Sequence, residues 1–78
     1  MENYSEVMIS NVLKRVEKEI NEADNKDTVN KIYRQARNWV RYHCYYANAC
    51  TKERARDLNH ELKRIRREKL EELGYVYR

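Results

Sequence analysis

The sequence contains no proline, no phenylalanine and a single glycine, Gly74, in 78 residues. Glycine and proline are the residues that interrupt helices, so their scarcity favours an all-α chain. One glycine near the end also excludes a Gly-rich phosphate loop. No apolar run approaches the ~20 residues that span a bilayer. The opening MENYSEVMIS lacks the basic start and apolar stretch of a secretory signal. With only two cysteines and no such signal, the chain reads as cytoplasmic, in a reducing compartment.

The chemistry of a catalytic or metal site is missing too. Cys44 and Cys50 lie about 120° out of phase on a continuous helix. With His43 and His60 they form neither the C-x2-C nor the H-x3-5-H spacing of a zinc site, so no metal is expected. The cysteines read as small apolar fillers and His43 as a core or boundary residue. A disulfide between them requires the chain at NACT, residues 48–51, to bend sharply. Ser5 and Ser10 have no neighbouring histidine to activate them, and Glu17, Glu19 and Glu61 read as helix-surface residues. A chain this short encloses little concave volume. No enzyme activity and no cofactor are expected.

What is present is helical periodicity. Ile9, Val12, Leu13, Val16, Ile20 and Ala23 recur at spacings of three and four, one face of an amphipathic helix. NEADNKDT breaks the pattern with short polar side chains that compete for backbone bonds, and Asp27 or Thr28 is suited to cap the second helix. Its stripe is Val29, Ile32, Tyr33, Ala36, Val40, His43 and Ala47. The next stripe, Ala55, Leu58, Leu62, Ile65, Leu70 and Leu73, sits one residue step out of phase, which places a break at NACT with Thr51 as cap. Gly74 is suited to the C′ position after Leu73.

The expectation is one domain, residues 1–78, with helices over about 3–24, 28–48 and 52–73 and a short tail at 74–78. Three helices of matched length favour an up-down-up three-helix bundle. The alternative fuses the second and third helices in an intertwined homodimer. Self-association is in either case a route to completing so small a core.

The surface carries the functional signal. Residues 1–24 have net charge −3, residues 25–50 net +4 and residues 51–78 net +3. This asymmetry suggests an anionic partner for the last two-thirds, or self-association with the first third. WVRYHCYYANAC, residues 39–50, holds four aromatic rings that one helix face cannot all bury. Trp39 and Tyr46 fall at the edge of the buried arc, Tyr42 at its boundary and Tyr45 opposite. Arg34, Arg37 and Arg41 form a basic stripe beside Tyr45. Arg and Tyr together suit a protein interface, where Tyr supplies stiff contact area and Arg planar donation. The expected partner-binding residues are therefore Arg34, Arg37, Arg41, Tyr42, Tyr45 and Tyr46.

On the third helix, Arg56, His60, Lys63 and Arg67 share one flank and Asp57, Glu61, Glu68 and Glu72 the other. The two flanks read as a solvated, sign-segregated surface in which Arg64–Glu68 and Arg67–Glu71 pair at i,i+4 and support the helix. The functional alternative has the acidic flank dock the second helix, leaving Arg56, Lys63 and Arg67 free for nucleic acid. Three functions follow. The leading one is a non-catalytic protein-binding module that occludes or bridges a macromolecular partner. The second is RNA or DNA binding through the basic stripes, with Arg on phosphate and Tyr on bases. The third is a dimeric scaffold. In its Lys, Glu, Asn and Tyr content the chain is similar to small helical accessory proteins of phages and other mobile elements. That likeness implies an inhibitor or regulator in the host cytoplasm.

Overall fold

The computed structural model describes residues 2–46 and 50–75, with side chains from Glu6 onward. Among these residues there are three α-helices and no strand: α1 (Glu2–Glu22), α2 (Lys26–Arg41), continued by one π-helical turn (Tyr42–Tyr46), and α3 (Lys52–Glu72). They form an all-α three-helix bundle, and each helix packs against the other two. α2 and α3 are separate and antiparallel neighbours, so the fused-helix arrangement is not adopted.

Local chemistry sets each boundary. α1 ends as Ala23 turns inward, its N–H donating to the Ile20 carbonyl at 3.1 Å. Asn25, extended at φ −149°, then caps α2: its Oδ1 accepts from the Thr28 N–H at 2.9 Å. The cap therefore lies ahead of Asp27 and Thr28, which fall inside the first turn. Asn25 satisfies the third helical N–H, an otherwise orphan donor, and Asp27 sits favourably in the positive end of the dipole. Thr51 caps α3 in the same way, its Oγ1 accepting from the Arg54 N–H at 3.0 Å.

α3 closes in a Schellman motif. The Tyr75 N–H reaches the Leu70 carbonyl at 2.8 Å and the Gly74 N–H reaches that of Glu71 at 3.0 Å. This geometry needs the left-handed backbone that Gly74 adopts at φ 101°. Lys26 lies over the Tyr75 ring, which pins the start of the tail to α2.

The core follows the three stripes. Ile9, Val16, Ile20 and Ala23 from α1 and its exit meet Val29, Tyr33, Ala36 and Val40 from α2 and Ala55, Leu58, Leu62, Ile65 and Leu70 from α3. Val12, Leu13, Ile32, Trp39 and Leu73 pack at its edge. Complete burial of one such aliphatic side chain is worth about 1.5–3 kcal/mol. Ala47, expected on the second stripe, lies outside the described residues.

Two features depart from expectation. Cys44 and Cys50 are joined in a disulfide, with Cα atoms 4.8 Å apart. They are not free apolar fillers. Cys44 reaches Cys50 because α2 stops at Arg41 and widens into the π-turn. That turn brings Cys44 (5% exposed), rather than His43, under Val40 onto the buried stripe. The second departure is Lys69, buried at 7% exposure on the apolar side of α3. Its Nζ donates to the Asn21 carbonyl at 2.7 Å and lies 3.7 Å from Glu72. α1 has no basic residue in its own last turn. Lys69 supplies from α3 the cation that the carbonyl end of α1 favours.

Candidate partner-binding groove

An α-helix brings residues three, four and seven apart onto one line. On α2 and its π-turn that line is Arg34, Asn38, Arg41 and Tyr45, with Arg37 and Tyr33 beside it toward α3. Across from them α3 presents Asn59. Together these seven residues line an open groove of about 440 Å³ between α2 and α3. Arg34, Arg37, Asn38, Arg41 and Tyr45 are all exposed.

The electrostatics of the groove are one-sided. None of its lining residues is acidic. Among the described residues, Arg34, Arg37 and Arg41 make no ion pair, because the acidic side chains that are paired serve other bases. Glu61 and Glu68 both bind Arg64 within α3. The hydrogen bond from Arg64 holds the Glu61 carboxyl below the usual carboxylate range. Glu6 holds Arg54 through two bonds of 3.0 Å. The Arg64–Glu68 pair expected from the i,i+4 spacing forms, Arg67–Glu71 does not form among the described residues, and Glu61, Glu68 and Glu72 pair within α3 rather than with α2. The reason is reach: a partner three or four residues away on the same helix is already in register.

At the floor of the groove, Tyr33 is buried and its ring is covered. The Arg66 guanidinium lies 4.7 Å and that of Arg37 5.9 Å from its centroid. Arg66 also donates to Asn30 Oδ1 at 3.0 Å. Asn59 is half-buried, and its Oδ1 is withdrawn from solvent with no hydrogen-bond donor in reach.

The structure divides the expected site residues. Arg34, Arg37, Arg41 and Tyr45 come together in the groove. Tyr42 and Tyr46 do not line it. Instead they form an aromatic row with the neighbouring rings. Trp39 stacks on His43 at 4.2 Å, Tyr42 meets His43 edge-on at 5.4 Å, and Tyr42 and Tyr46 are 6.2 Å apart. His43 Nδ1 lies 3.2 Å from the Trp39 carbonyl, an acceptor, and donates to it when that nitrogen carries a proton. Tyr46, expected at the edge of the core, is 73% exposed. The π-turn advances less per residue than an α-helix and leaves this ring outside the buried arc.

Arg56, Lys63 and Arg67 are exposed on α3 and, among the described residues, none of them is ion-paired. Arg56 and Lys63 stand one turn before and after Asn59, so they extend the basic wall beyond the groove itself. Tyr33, Asn38 and Asn59 complete the lining without having been singled out. The Arg34–Asn38–Arg41–Tyr45 line holds the signal for Asn38. Asn59 becomes visible only once α3 is docked.

No helix of the described residues is long and apolar enough to cross a membrane. No family model, curated protein or solved structure matches this sequence.

Proposed function

We propose that this chain is a non-catalytic helical binding module that occludes or bridges a protein partner through the α2–α3 groove, in the manner of a small inhibitor or regulator. The observation that carries this reading is the set of three arginines without acidic partners among the described residues, arrayed beside Tyr45, which is 49% exposed. Such a combination is typical of the anchors of protein interfaces. The outer aromatic row of Tyr42 and Tyr46 lies round the helix and is available as the rim of the same contact. A disulfide persists in oxidising surroundings and is rare in the cytosol, so the Cys44–Cys50 bond argues against the reducing compartment read from the sequence.

The test is site-specific photocrosslinking from position 45, with position 18 on α1 as control, followed by reconstitution with the purified crosslinked protein. Tyr45→Ala is expected to abolish the reconstituted binding while helicity by circular dichroism is retained. Unchanged binding removes the groove as the partner site.

A second reading, direct RNA or DNA binding, is favoured by six exposed cations that form no ion pair among the described residues, Arg34, Arg37, Arg41, Arg56, Lys63 and Arg67. Titration of Trp39 fluorescence with mixed-sequence single-stranded RNA and duplex DNA separates the two. Nucleic-acid binding shows log affinity falling linearly with log salt.

A further inference from the structure

We propose that the occupant of the α2–α3 groove is an acidic peptide segment in extended conformation, with its carboxylates on the arginines and its main-chain N–H groups toward Asn59. This rests on the reading that the groove is the partner site and specifies the chemistry of what enters it.

Charge complementarity is the first argument. The lining includes three arginines and no acid, so it favours a guest rich in carboxylates. Each guanidinium offers a planar fork that matches a carboxylate with two parallel bonds. Length is the second. Arg34 to Arg41 covers about 10 Å of helix axis at 1.5 Å per residue. Three residues of extended chain, at about 3.3 Å each, span the same distance. Two acidic side chains two or three positions apart therefore reach two of the arginines at once.

Asn59 supplies the third argument. The arginines are pure donors, whereas the withdrawn Asn59 carbonyl is an acceptor that lacks a donor. An unmet buried acceptor is unfavourable, and a guest N–H relieves it after a small rotation of the side chain. A peptide brings both complements, acidic acceptors and N–H donors, within one short segment. A nucleic acid carries only acceptors on its phosphodiesters, and its donors lie on the bases and 2′-hydroxyls rather than along the anionic backbone itself. The covered Tyr33 ring likewise offers no free face on which a base could stack. The net charge of −3 in residues 1–24 also works against a long polyanion wrapping the bundle.

The experiment uses fluorescence polarisation with the full chain and three probes: a degenerate twelve-residue peptide pool with Glu fixed at positions 5 and 8, the same pool with Gln fixed there, and a twelve-nucleotide mixed-sequence single-stranded RNA. The Glu pool is expected to bind at least tenfold tighter than the Gln pool. Arg34→Gln with Arg41→Gln is expected to weaken it at least tenfold. Asn59→Ala is expected to weaken it several-fold, with helicity retained by circular dichroism in both variants. Equal binding of the two pools overturns the proposal, as does indifference to the arginine pair. Tighter, steeply salt-dependent binding of the RNA overturns it in favour of nucleic acid. Failure of the Glu pool, while the protein crosslinked from position 45 still depends on Tyr45, rejects the acidic guest and leaves the binding module standing. Failure of both rejects the module as well.

Discussion

Reduction of the Cys44–Cys50 disulfide is the most informative single perturbation of this fold. The bond joins residues 6 apart in sequence and ties the π-turn to the residue just before the Thr51 cap. A cross-link stabilises chiefly by limiting the unfolded chain, and the loop-closure relation gives about 2 kcal/mol for a loop this short. For a chain of this length, each kcal/mol moves the midpoint by roughly 4–8 °C, so reduction is expected to lower Tm by about 10 °C. Circular dichroism melts with and without a phosphine reductant measure this. Alkylation and intact mass report the state of both thiols. The Cys44→Ala/Cys50→Ala variant should match the reduced protein to within the small loss of the buried Cys44 sulfur, and should not respond to reductant.

The location of the loss also follows. The core stripes of α1 and α3 do not depend on the bond, whereas the Tyr42–Tyr46 turn does. Hydrogen exchange should therefore rise first between residues 42 and 51, ahead of global opening. Equal Tm values in the two redox states, with reduction confirmed by mass, would refute the argument that this bond shapes the pole beside the groove. Two alkylatable thiols in protein isolated without reductant would refute it more directly.

Three further perturbations have definite expected outcomes. Lys69→Met keeps the buried stem but removes the donor to the Asn21 carbonyl; a loss of about 1–2 kcal/mol is expected from urea titration, with an unchanged m-value. Gly74→Ala meets no atom, since nothing lies within 4 Å of an added Cβ, so its cost is the backbone alone at φ 101°, about 1–2 kcal/mol on the same titration. Glu61 has its carboxyl held below the ordinary range by Arg64, so its contribution is present above that range and is lost as pH falls through the lowered value. Glu61→Gln should flatten the acid limb of the stability curve only slightly, because both partners are solvent-screened, and added salt should erase the difference.

The helices were legible in the sequence because their apolar stripes repeat at spacings of three and four over some twenty residues. Thr51 and Gly74 were legible because each occupies a position that few other residues fill. Asn25 was less so: Asn25, Asp27 and Thr28 are all competent caps, and the choice depends on where Ala23 turns into the core. The disulfide could not be read from spacing, since a straight helix holds Cys44 and Cys50 out of phase. Only the loss of helical geometry after Arg41 brings them together. Lys69 reads as an ordinary surface cation until α1 is placed beside it. Within the candidate site, the arginine stripe and Tyr45 share one line on a single helix and needed no tertiary information. The exposure of Tyr46 depends on the π-turn, and Asn59 enters from another helix.

The pairing of charges within the bundle bears directly on the groove. Arg54 and Arg64 each hold a carboxylate, and Lys69 caps α1 with Glu72 nearby. α2 is left with three arginines at spacings of three and four, and like charges at these spacings disfavour a helix by about 0.2–0.5 kcal/mol per pair. If the groove exists to bind an anion, that repulsion is retained because a partner relieves it, and removing it should stabilise the free chain at the expense of binding. Arg34→Glu replaces one repulsion with an attraction to Arg37 in the next turn. It is expected to raise Tm by a few degrees while weakening the Glu-pool interaction at least tenfold. A stripe with no binding role predicts the same gain in Tm with no loss of binding. A fall in Tm would show that Arg34 supports the fold through contacts of its aliphatic stem, and that the stripe is not held at a cost to stability.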